Sequence, residues 1–205
     1  GRLLEAFENS KQAKNTILVL WSDHGMHMGE KENIEKFSLW ERSTRVPLLI
    51  SAPGVTQAGA KSDQPVSLMD LYPTLVDLAG YDLPPHLDGR SLVAQLQEPE
   101  DATPPVVTSY QFSWTDEPLV GHAVRSKRYR YIYYPDINLE ELYDHDIDPN
   151  EWDNVAYKRT SKEIIKDHRQ VLEATLPNLT WEDGEPSGYS VDGDGNVRKI
   201  GFISY

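Results

Sequence analysis

The residues with the clearest chemical potential form one short polar stretch, residues 22–31, which reads Ser-Asp-His-Gly-Met-His-Met-Gly-Glu-Lys. Within it, Asp23 offers a hard oxygen ligand and His24 offers an imidazole. A carboxylate suits calcium or magnesium, and an imidazole extends the range to manganese or zinc. Two ligands do not complete a metal site, and the same pattern is typical of a turn that Asp23 caps beside a loop histidine. The spacing alone leaves both interpretations open.

A second candidate is Lys36, whose ammonium group is suited to binding an oxyanion as a point charge. Glu32 precedes it by four residues, so an ordinary ion pair on a helix surface is the alternative. An acidic run over residues 140–153 contains no Lys or Arg. Calcium binding is one interpretation of that run, but we interpret it as a solvated turn. The isolated histidines His27, His122 and His145 are interpreted as structural.

The composition excludes several classes of protein and site. The chain has 205 residues, no cysteine and a formal net charge of -13. Such a field repels nucleic acids and anionic membranes, so neither is an expected partner. The absence of cysteine excludes disulfides, cysteine-zinc sites and thiol nucleophiles from this chain. No apolar run approaches the ~20 residues that span a bilayer, so no membrane insertion is expected.

The elements around the polar stretch predict an α/β arrangement. Residues 16–21, Thr-Ile-Leu-Val-Leu-Trp, have no polar alternation, which is typical of a strand buried on both faces of a parallel sheet. Asp23 and His24 then follow the carboxyl end of a strand, where open α/β sheets bind ligands. Residues 46–51 predict a second buried strand. Leucines at helical spacing predict a helix over 70–79 that ends at Gly80.

The pattern changes near residue 103, where we predict a boundary. Strands are expected over 106–109, 121–126 and 128–134, with the last two forming a hairpin. The alternating tyrosines of 128–134 indicate a half-exposed antiparallel strand. A helix over 161–176 carries an apolar stripe that must be buried against that strand.

Several motifs occur in the order in which one enzyme family carries them. They begin Asn-Thr-Ile-Leu-Val-Leu-Trp-Ser-Asp-His-Gly at Asn15, His-Met-Gly-Glu-Lys at His27, Lys-Phe-Ser-Leu-Trp-Glu at Lys36, Thr-Arg-Val-Pro-Leu at Thr44, and Glu-Leu-Tyr-Asp at Glu141. Over residues 1–156 the chain resembles the sulfatase family of the alkaline-phosphatase superfamily, and most of all its iduronate-2-sulfatase and choline-sulfatase-like branch. Residues 157–205 match no motif of that family.

The resemblance implies hydrolysis of sulfate esters, with a sulfated carbohydrate as substrate. It implies a formylglycine nucleophile and a divalent cation, usually Ca2+, with Mg2+ or Mn2+ as alternatives. Asp23 and His24 match two ligands of that cation, and Lys36 matches the lysine that contacts the sulfate ester. A periplasmic, secreted or lysosomal location is implied as well. The rival activities are a phosphodiesterase or phosphonate hydrolase of the same superfamily, and a non-catalytic binding domain that retains the fold.

The chain departs from the family pattern at the nucleophile. It has no cysteine and no Ser-x-Pro-x-Arg sequence that could be converted to formylglycine, and it lacks the early aspartate pair of the family's metal site. We therefore expect the C-terminal portion of an alkaline-phosphatase-like enzyme, whose partner is the N-terminal half. Residues 1–103 would carry part of a mostly parallel sheet and the metal half-site. Residues 104–205 would form a small subdomain of antiparallel sheet and helix.

Overall fold

The structure is a computed structural model that describes residues 1–112, 119–182, 184, 186–187 and 189–199. The chain divides into two compact units. The first contains Gly1–Asp23 and Val46–Thr103, and the second contains His24–Arg45 and Pro104–Tyr205. This division departs from the predicted boundary at residue 103 in one respect, because residues 24–45 belong to the C-terminal unit. None of the described helices is long and apolar enough to cross a membrane.

The described helices and strands are numbered in chain order. The helices are α1 (Arg2–Glu8), α2 (Glu41–Thr44), α3 (Leu71–Leu78), α4 (Val93–Gln97) and α5 (Lys162–Thr175). The strands are β1 (Leu18–Trp21), β2 (Leu48–Ser51), β3 (Val106–Phe112), β4 (Leu119–Arg125), β5 (Tyr129–Tyr134), β6 (Leu139–Asp144), β7 (Tyr189–Val191) and β8 (Val197–Lys199). The mixture of helices and sheets confirms the α/β class.

In the first unit, β1 and β2 pair with each other, and they pair antiparallel with Leu20 opposite Leu49. The expectation of a strand buried on both faces is wrong for this chain, because Leu20 and Trp21 are 53% and 54% exposed. The physical reason is that the described part of the chain supplies no third strand to this sheet. Parallel pairing is likewise not seen among the described strands. The apolar run does form a strand, but its faces are open.

The helix predicted over 70–79 is confirmed as α3, and its start is fixed by a capping box. The Ser67 hydroxyl accepts a hydrogen bond from the Met69 amide, and the Asp70 carboxylate accepts one from the Ser67 amide. Asp70 also accepts from the Arg90 amide at 2.9 Å. The buried Asp70 carboxylate therefore accepts hydrogen bonds from a backbone amide at the start of the helix and from the amide of Arg90 in a later loop.

The second unit is built on a four-stranded antiparallel sheet in the order β3-β4-β5-β6. The predicted hairpin is confirmed, with Ala123 opposite Ile132. One face of the sheet packs on α5, where Tyr131 and Tyr133 join Ile165 and Leu172 in one core cluster. The predicted burial of the apolar stripe of α5 against the tyrosine strand is therefore confirmed.

The other face of the same sheet is also buried, so the prediction of a half-exposed tyrosine strand is wrong. Ile132 and Tyr134 on that face form a second cluster with Leu39, which is 0% exposed. Leu39 lies in residues 24–45, the segment that also contains His24 and Lys36. The side chains of β5 alternate between two core clusters, one on each face of the sheet. Neither face is exposed to solvent.

Candidate functional site

The structure places Asp23 and His24 directly after β1, which ends at Trp21. Asp23 is exposed and is the last residue of the first unit's opening segment, and the Ser22 hydroxyl donates to its Oδ1 at 3.4 Å. His24 is half-buried and opens the second unit. The predicted placement after a strand is therefore observed for both residues. Their assignment as ligands of one cation stays a prediction.

His24 is held in one tautomer by two contacts. Its Nδ1 lies 2.8 Å from the carbonyl oxygen of Gly25, and its Nε2 lies 2.9 Å from the Nζ of Lys36. A carbonyl can only accept and an ammonium can only donate. His24 therefore carries its proton on Nδ1 and directs the lone pair of Nε2 at Lys36. Nε2 is the only ring nitrogen that could bind a metal ion, and its lone pair here accepts the hydrogen bond from Lys36.

The pairing of Lys36 with Glu32 on a helix surface is not realised among the described ion pairs. The reason is local, because residues 30–36 do not form an α-helix. Lys31 and Glu32 have positive φ angles of 54° and 58°, which is the left-handed region. Lys36 instead contacts His24, and its Nζ lies 5.4 Å from the centre of the Phe37 ring.

The loop that begins at His24 depends on a glycine. The Gly25 amide donates to the carbonyl of Ser43 at 2.8 Å. A Cβ atom added at Gly25 would lie 2.0 Å from the carbonyl oxygen of Arg42. Because backbone atoms cannot yield at such a distance, any side chain at this position would displace the loop.

The base of the loop is fixed by a buried histidine. His27 is 0% exposed. Its Nε2 lies 2.9 Å from the Ser38 hydroxyl, and its Nδ1 lies 3.1 Å from the Glu30 carbonyl. Ser38 in turn contacts the Ser43 hydroxyl at 2.8 Å. Burial lowers the pKa of His27, which keeps the ring neutral. Its contacts are those of a structural histidine.

Lys31 joins the loop to the sheet. Its Nζ lies 4.5 Å from the ring centres of both Trp40 and Tyr143. It also donates to the Tyr143 hydroxyl at 3.0 Å and to the carbonyl of Glu151 at 2.5 Å. Burial lowers the pKa of Lys31, although the nearby Glu141 carboxylate opposes that effect. A cation between two aromatic rings is a strong contact when water is excluded, and it holds the left-handed turn in place.

Glu151, whose carbonyl contacts Lys31, also belongs to a buried ion network. The network is centred on Arg130, whose side chain is 3% exposed. Its Nε donates to Glu151 at 2.6 Å, its Nη1 donates to the Leu39 carbonyl at 3.0 Å, and its Nη2 donates to Glu41. Arg125 donates to the same Glu41 carboxylate at 3.2 Å. The network ties α2 to β4 and β5.

Three members of this network have the ligand types of a metal site. Oxygen or nitrogen atoms of Glu41, His145 and Glu151 all lie within 4.8 Å of one another. Two guanidinium groups already neutralise the carboxylates, however. Burial alone would raise the pKa of Glu41, but Arg130 and Arg125 outweigh burial and lower it to about 2. The cluster is therefore a satisfied ion network and not a cation site.

The acidic run over 140–153 corrects the sequence analysis. It was interpreted as a solvated turn, but Glu140, Glu141, Asp144 and Glu151 are all buried. Their partners are distant in sequence. Glu140, for example, accepts from Arg169 at 2.7 Å. The run is buried because its first residues form β6, which pairs with β5, and no alternation within the run itself indicates that burial.

Comparisons with known proteins place this geometry in a family. Residues 29–177 match the family described as N-sulphoglucosamine sulphohydrolase, C-terminal. A sulfatase of Formosa agariphila is 41% identical over 185 residues, which covers 89% of this chain and 34% of the relative. A delta 4,5-hexuronate-2-O-sulfatase of Bacteroides thetaiotaomicron is 33% identical over 201 residues, covering 96% of this chain and 41% of the relative. The chain therefore spans about a third to two fifths of the length of these relatives.

Solved structures give the same result. A protein in complex with its substrate D-glucosamine-2-N,6-O-disulfate superposes with a TM-score of 0.78 at 30% identity, covering 86% of this chain and 37% of that chain. A 2-O GAG sulfatase superposes with a TM-score of 0.76 at 30% identity, covering 95% and 46% of the two chains. On the strength of the family match and of these relatives, the chain belongs to the sulfatases.

Proposed function

We propose that this chain is the C-terminal part of an enzyme that hydrolyses sulfate esters of sugars. The observation that carries the proposal is the contact between Lys36 and His24, immediately after the Ser-Asp-His-Gly loop. It brings a cation for a sulfate oxygen next to an imidazole whose Nε2 would bind a metal ion once Lys36 turns from it to the sulfate. The relatives support a sugar substrate, since one is a hexuronate sulfatase and one was solved with a sulfated glucosamine.

In this proposal Asp23 and His24 are ligands of a divalent cation, for which Ca2+ is the first choice and Mg2+ or Mn2+ the alternatives. A carboxylate oxygen and an imidazole nitrogen fit such an ion chemically, although they fill only part of a shell of six or more ligands. The bound cation would neutralise negative charge on the sulfate. The remaining ligands and the formylglycine nucleophile are assigned to an N-terminal portion.

Lys36 is assigned to the sulfate ester. An ammonium group has three donors, and the contact with His24 uses one of them. When His24 binds the cation through Nε2, this hydrogen bond would be given up, and the N–H groups of Lys36 would then donate to the ester oxygens. Negative charge grows on the leaving oxygen as the S–O bond breaks, and a fixed cation stabilises that charge better than water does.

The proposed partner is the N-terminal portion of the same enzyme. The sheet of β1 and β2 exposes large apolar side chains, among them Leu20, Trp21 and Leu49, the last at 60% exposure. A contiguous apolar surface of this kind marks an interaction site. An N-terminal portion that covers this sheet would remove the surface from water and supply the nucleophile.

The alternative activity is hydrolysis of phosphonate monoesters. A phosphonate monoester hydrolase of Agrobacterium radiobacter superposes with a TM-score of 0.70 at 25% identity, covering 97% of this chain and 42% of that chain. Phosphonate and sulfate monoesters are both tetrahedral anions, so a metal ion and a lysine suit either substrate. The identity of the nucleophile would separate the two reactions.

The test joins this chain to the N-terminal portion of the Formosa agariphila relative and compares release of sulfate from sulfated glucosamine with hydrolysis of an aryl phosphonate. We expect sulfate release that a chelator abolishes and that Asp23→Asn and His24→Ala reduce. The 205-residue chain alone is the negative control, because it has no residue that can become formylglycine. A folded fusion that cleaves only the phosphonate would refute the proposal, as would turnover by the chain alone.

A further inference from the structure

A basic groove lies on one side of α5 in the second unit. Its cavity has a volume of about 530 Å³ and is lined by residues that include Tyr157, Lys158, Lys162, Ile165, Lys166 and Arg169. None of the residues proposed for sulfate hydrolysis, Asp23, His24 and Lys36, lines it. The groove therefore calls for a separate explanation.

The charge of this segment opposes that of the whole chain. Residues 158–169 contain five Lys or Arg and only two acidic residues, whereas the chain carries a formal net charge of -13. Lys162 and Lys166 are four residues apart in α5 and so lie on one side of the helix, whereas Lys158 precedes the helix in extended backbone, with a ψ of 143°. Successive positions at this spacing are separated by about 6 Å along a helix axis. All three lysines line the same cavity.

The cations of the basic groove differ in what already binds them. Arg169 is fixed, because it donates to Glu140 at 2.7 Å. Lys166 lies 3.7 Å from Glu163, and both side chains are mostly exposed. Lys158 and Lys162 are exposed, and no ion pair involves either of them in the described part of the chain. Two carboxylates also line the cavity, but Glu140 already pairs with Arg169, and the described structure shows no ion pair between Glu173 and these two lysines.

The floor of the groove is suited to an anion with an apolar surface. Ile165 is buried there, and the Tyr157 hydroxyl accepts a hydrogen bond from the Glu140 amide at 3.0 Å. Burial raises the pKa of Tyr157 to about 12, so the phenol stays neutral and does not repel an anion. Because it accepts from the amide, its own O–H is free to donate.

We propose that the basic groove is a binding site for a sulfated oligosaccharide, whose sulfate groups contact Lys158 and Lys162 and whose sugar rings lie over Tyr157 and Ile165. This inference rests on the proposed function, because that function supplies the class of ligand. The groove would hold a longer substrate chain while one of its esters is cleaved.

The first test measures binding alone and uses the 205-residue chain. The probe is a fluorescently labelled heparin hexasaccharide, with its desulfated counterpart and a single-stranded DNA oligonucleotide as comparisons. The variant Lys158→Ser/Lys162→Ser removes the two cations. The matched control is Lys11→Ser/Lys61→Ser, which changes the net charge equally at two exposed positions of the first unit.

We expect the groove variant to bind the sulfated hexasaccharide about tenfold more weakly than the unmodified chain at low ionic strength, and the control variant to bind it equally well. Desulfation should abolish binding. Equal loss in both variants would overturn the proposal, because the effect would then be one of net charge. Tighter binding of the DNA than of the hexasaccharide would also overturn it.

The second test uses the fusion with the N-terminal portion and separates this inference from the proposed function. The groove variant should lower kcat/KM for a sulfated hexasaccharide several-fold, mainly by raising KM, and leave turnover of a sulfated monosaccharide unchanged. Hexasaccharide binding without any sulfatase activity would refute the proposed function and leave the groove standing. Full activity on both substrates together with unchanged binding would refute the groove alone.

Discussion

Lys36 donates a hydrogen bond to His24 across twelve residues of chain, with 2.9 Å between Nζ and Nε2. The bond couples two of the three residues that the family motifs single out, and it forms because the chain between them does not continue as a helix. Instead, the chain turns through the left-handed residues Lys31 and Glu32 and returns to the start of the loop. Several consequences of this arrangement can be measured.

The first prediction concerns Lys36. In the fusion with an N-terminal portion, Lys36→Ala should lower kcat by about 100-fold or more, because it removes a fixed charge from the breaking ester. That corresponds to about 2.7 kcal/mol or more in activation free energy. The melting temperature should change little, since the contact with His24 is only partly buried.

The matched control is Glu32→Ala. Glu32 is exposed and stands four residues before Lys36, so an ordinary surface pair would make the two substitutions behave alike. We expect near-normal kcat for Glu32→Ala. Similar kcat values for the two variants would contradict a role of Lys36 in catalysis and would indicate an ordinary surface residue.

The second prediction concerns Lys31, which we regard as a positioning residue for the loop. Lys31→Ala should destabilise the 205-residue chain by about 2–4 kcal/mol, because it leaves the buried Glu141 carboxylate without its cation and removes two ring contacts. Urea unfolding measures this change. Lys14→Ala, at an exposed position, should have an effect of less than about 0.5 kcal/mol. A stability loss no larger than that of Lys14→Ala would contradict the prediction.

The third prediction concerns the pair of Arg130 and Glu151, whose side chains are 3% and 1% exposed. Glu151→Gln should lower the free energy of unfolding by about 3 kcal/mol, since it leaves a buried guanidinium partly uncompensated. Glu163→Gln is the control, because the pair of Glu163 with Lys166 is exposed and contributes about 0–1 kcal/mol. Equal unfolding midpoints for the two variants would show that the buried network contributes nothing.

The fourth prediction is that acid destabilises the chain in two stages. Burial lowers the pKa of His168, and a lowered pKa means that the folded state resists protonation. The stability from this neutral ring is present above the ordinary histidine pKa of about 6.5 and is lost as the pH falls below it. His168→Gln should make stability fall less steeply in this range without abolishing the fall, because burial also lowers the pKa of His27 and His122.

Glu41 contributes to the lower stage together with Glu151 and Asp144, because the pKa values of those two carboxyl groups are lowered as well. The pKa of Glu41 falls from an ordinary 4.5 to about 2, so its ion pairs stabilise the fold above pH 4.5 and are lost as the pH approaches 2. The difference is worth at most about 3 kcal/mol. Urea midpoints measured from neutral to acidic pH should fall throughout, and Glu41→Gln should flatten only the lower part. A midpoint that rises on acidification would contradict both assignments.

Sequence periodicity predicted the elements whose signal is local. The helix at α3, the hairpin of β4 and β5, and the burial of the stripe of α5 follow from patterns within about fifteen residues, and the structure confirms them. The motif around Asp23 and His24 was likewise predicted to follow a strand. These features depend only on the spacing of apolar residues along the chain and on its turn residues, so the sequence alone determines them.

The tertiary structure decided what covers each surface and which charges meet. The second face of β5 is buried because Leu39, about ninety residues earlier, packs on it, and no alternation within the strand predicts that. Glu140 and Glu151 are buried because Arg169 and Arg130 reach them from other elements. A charge can leave water only where its partner is fixed nearby, and that proximity is a property of the fold. The contact of Lys36 with His24, by contrast, depends on local backbone, because the left-handed turn at Lys31 and Glu32 prevents a helix that would pair Lys36 with Glu32.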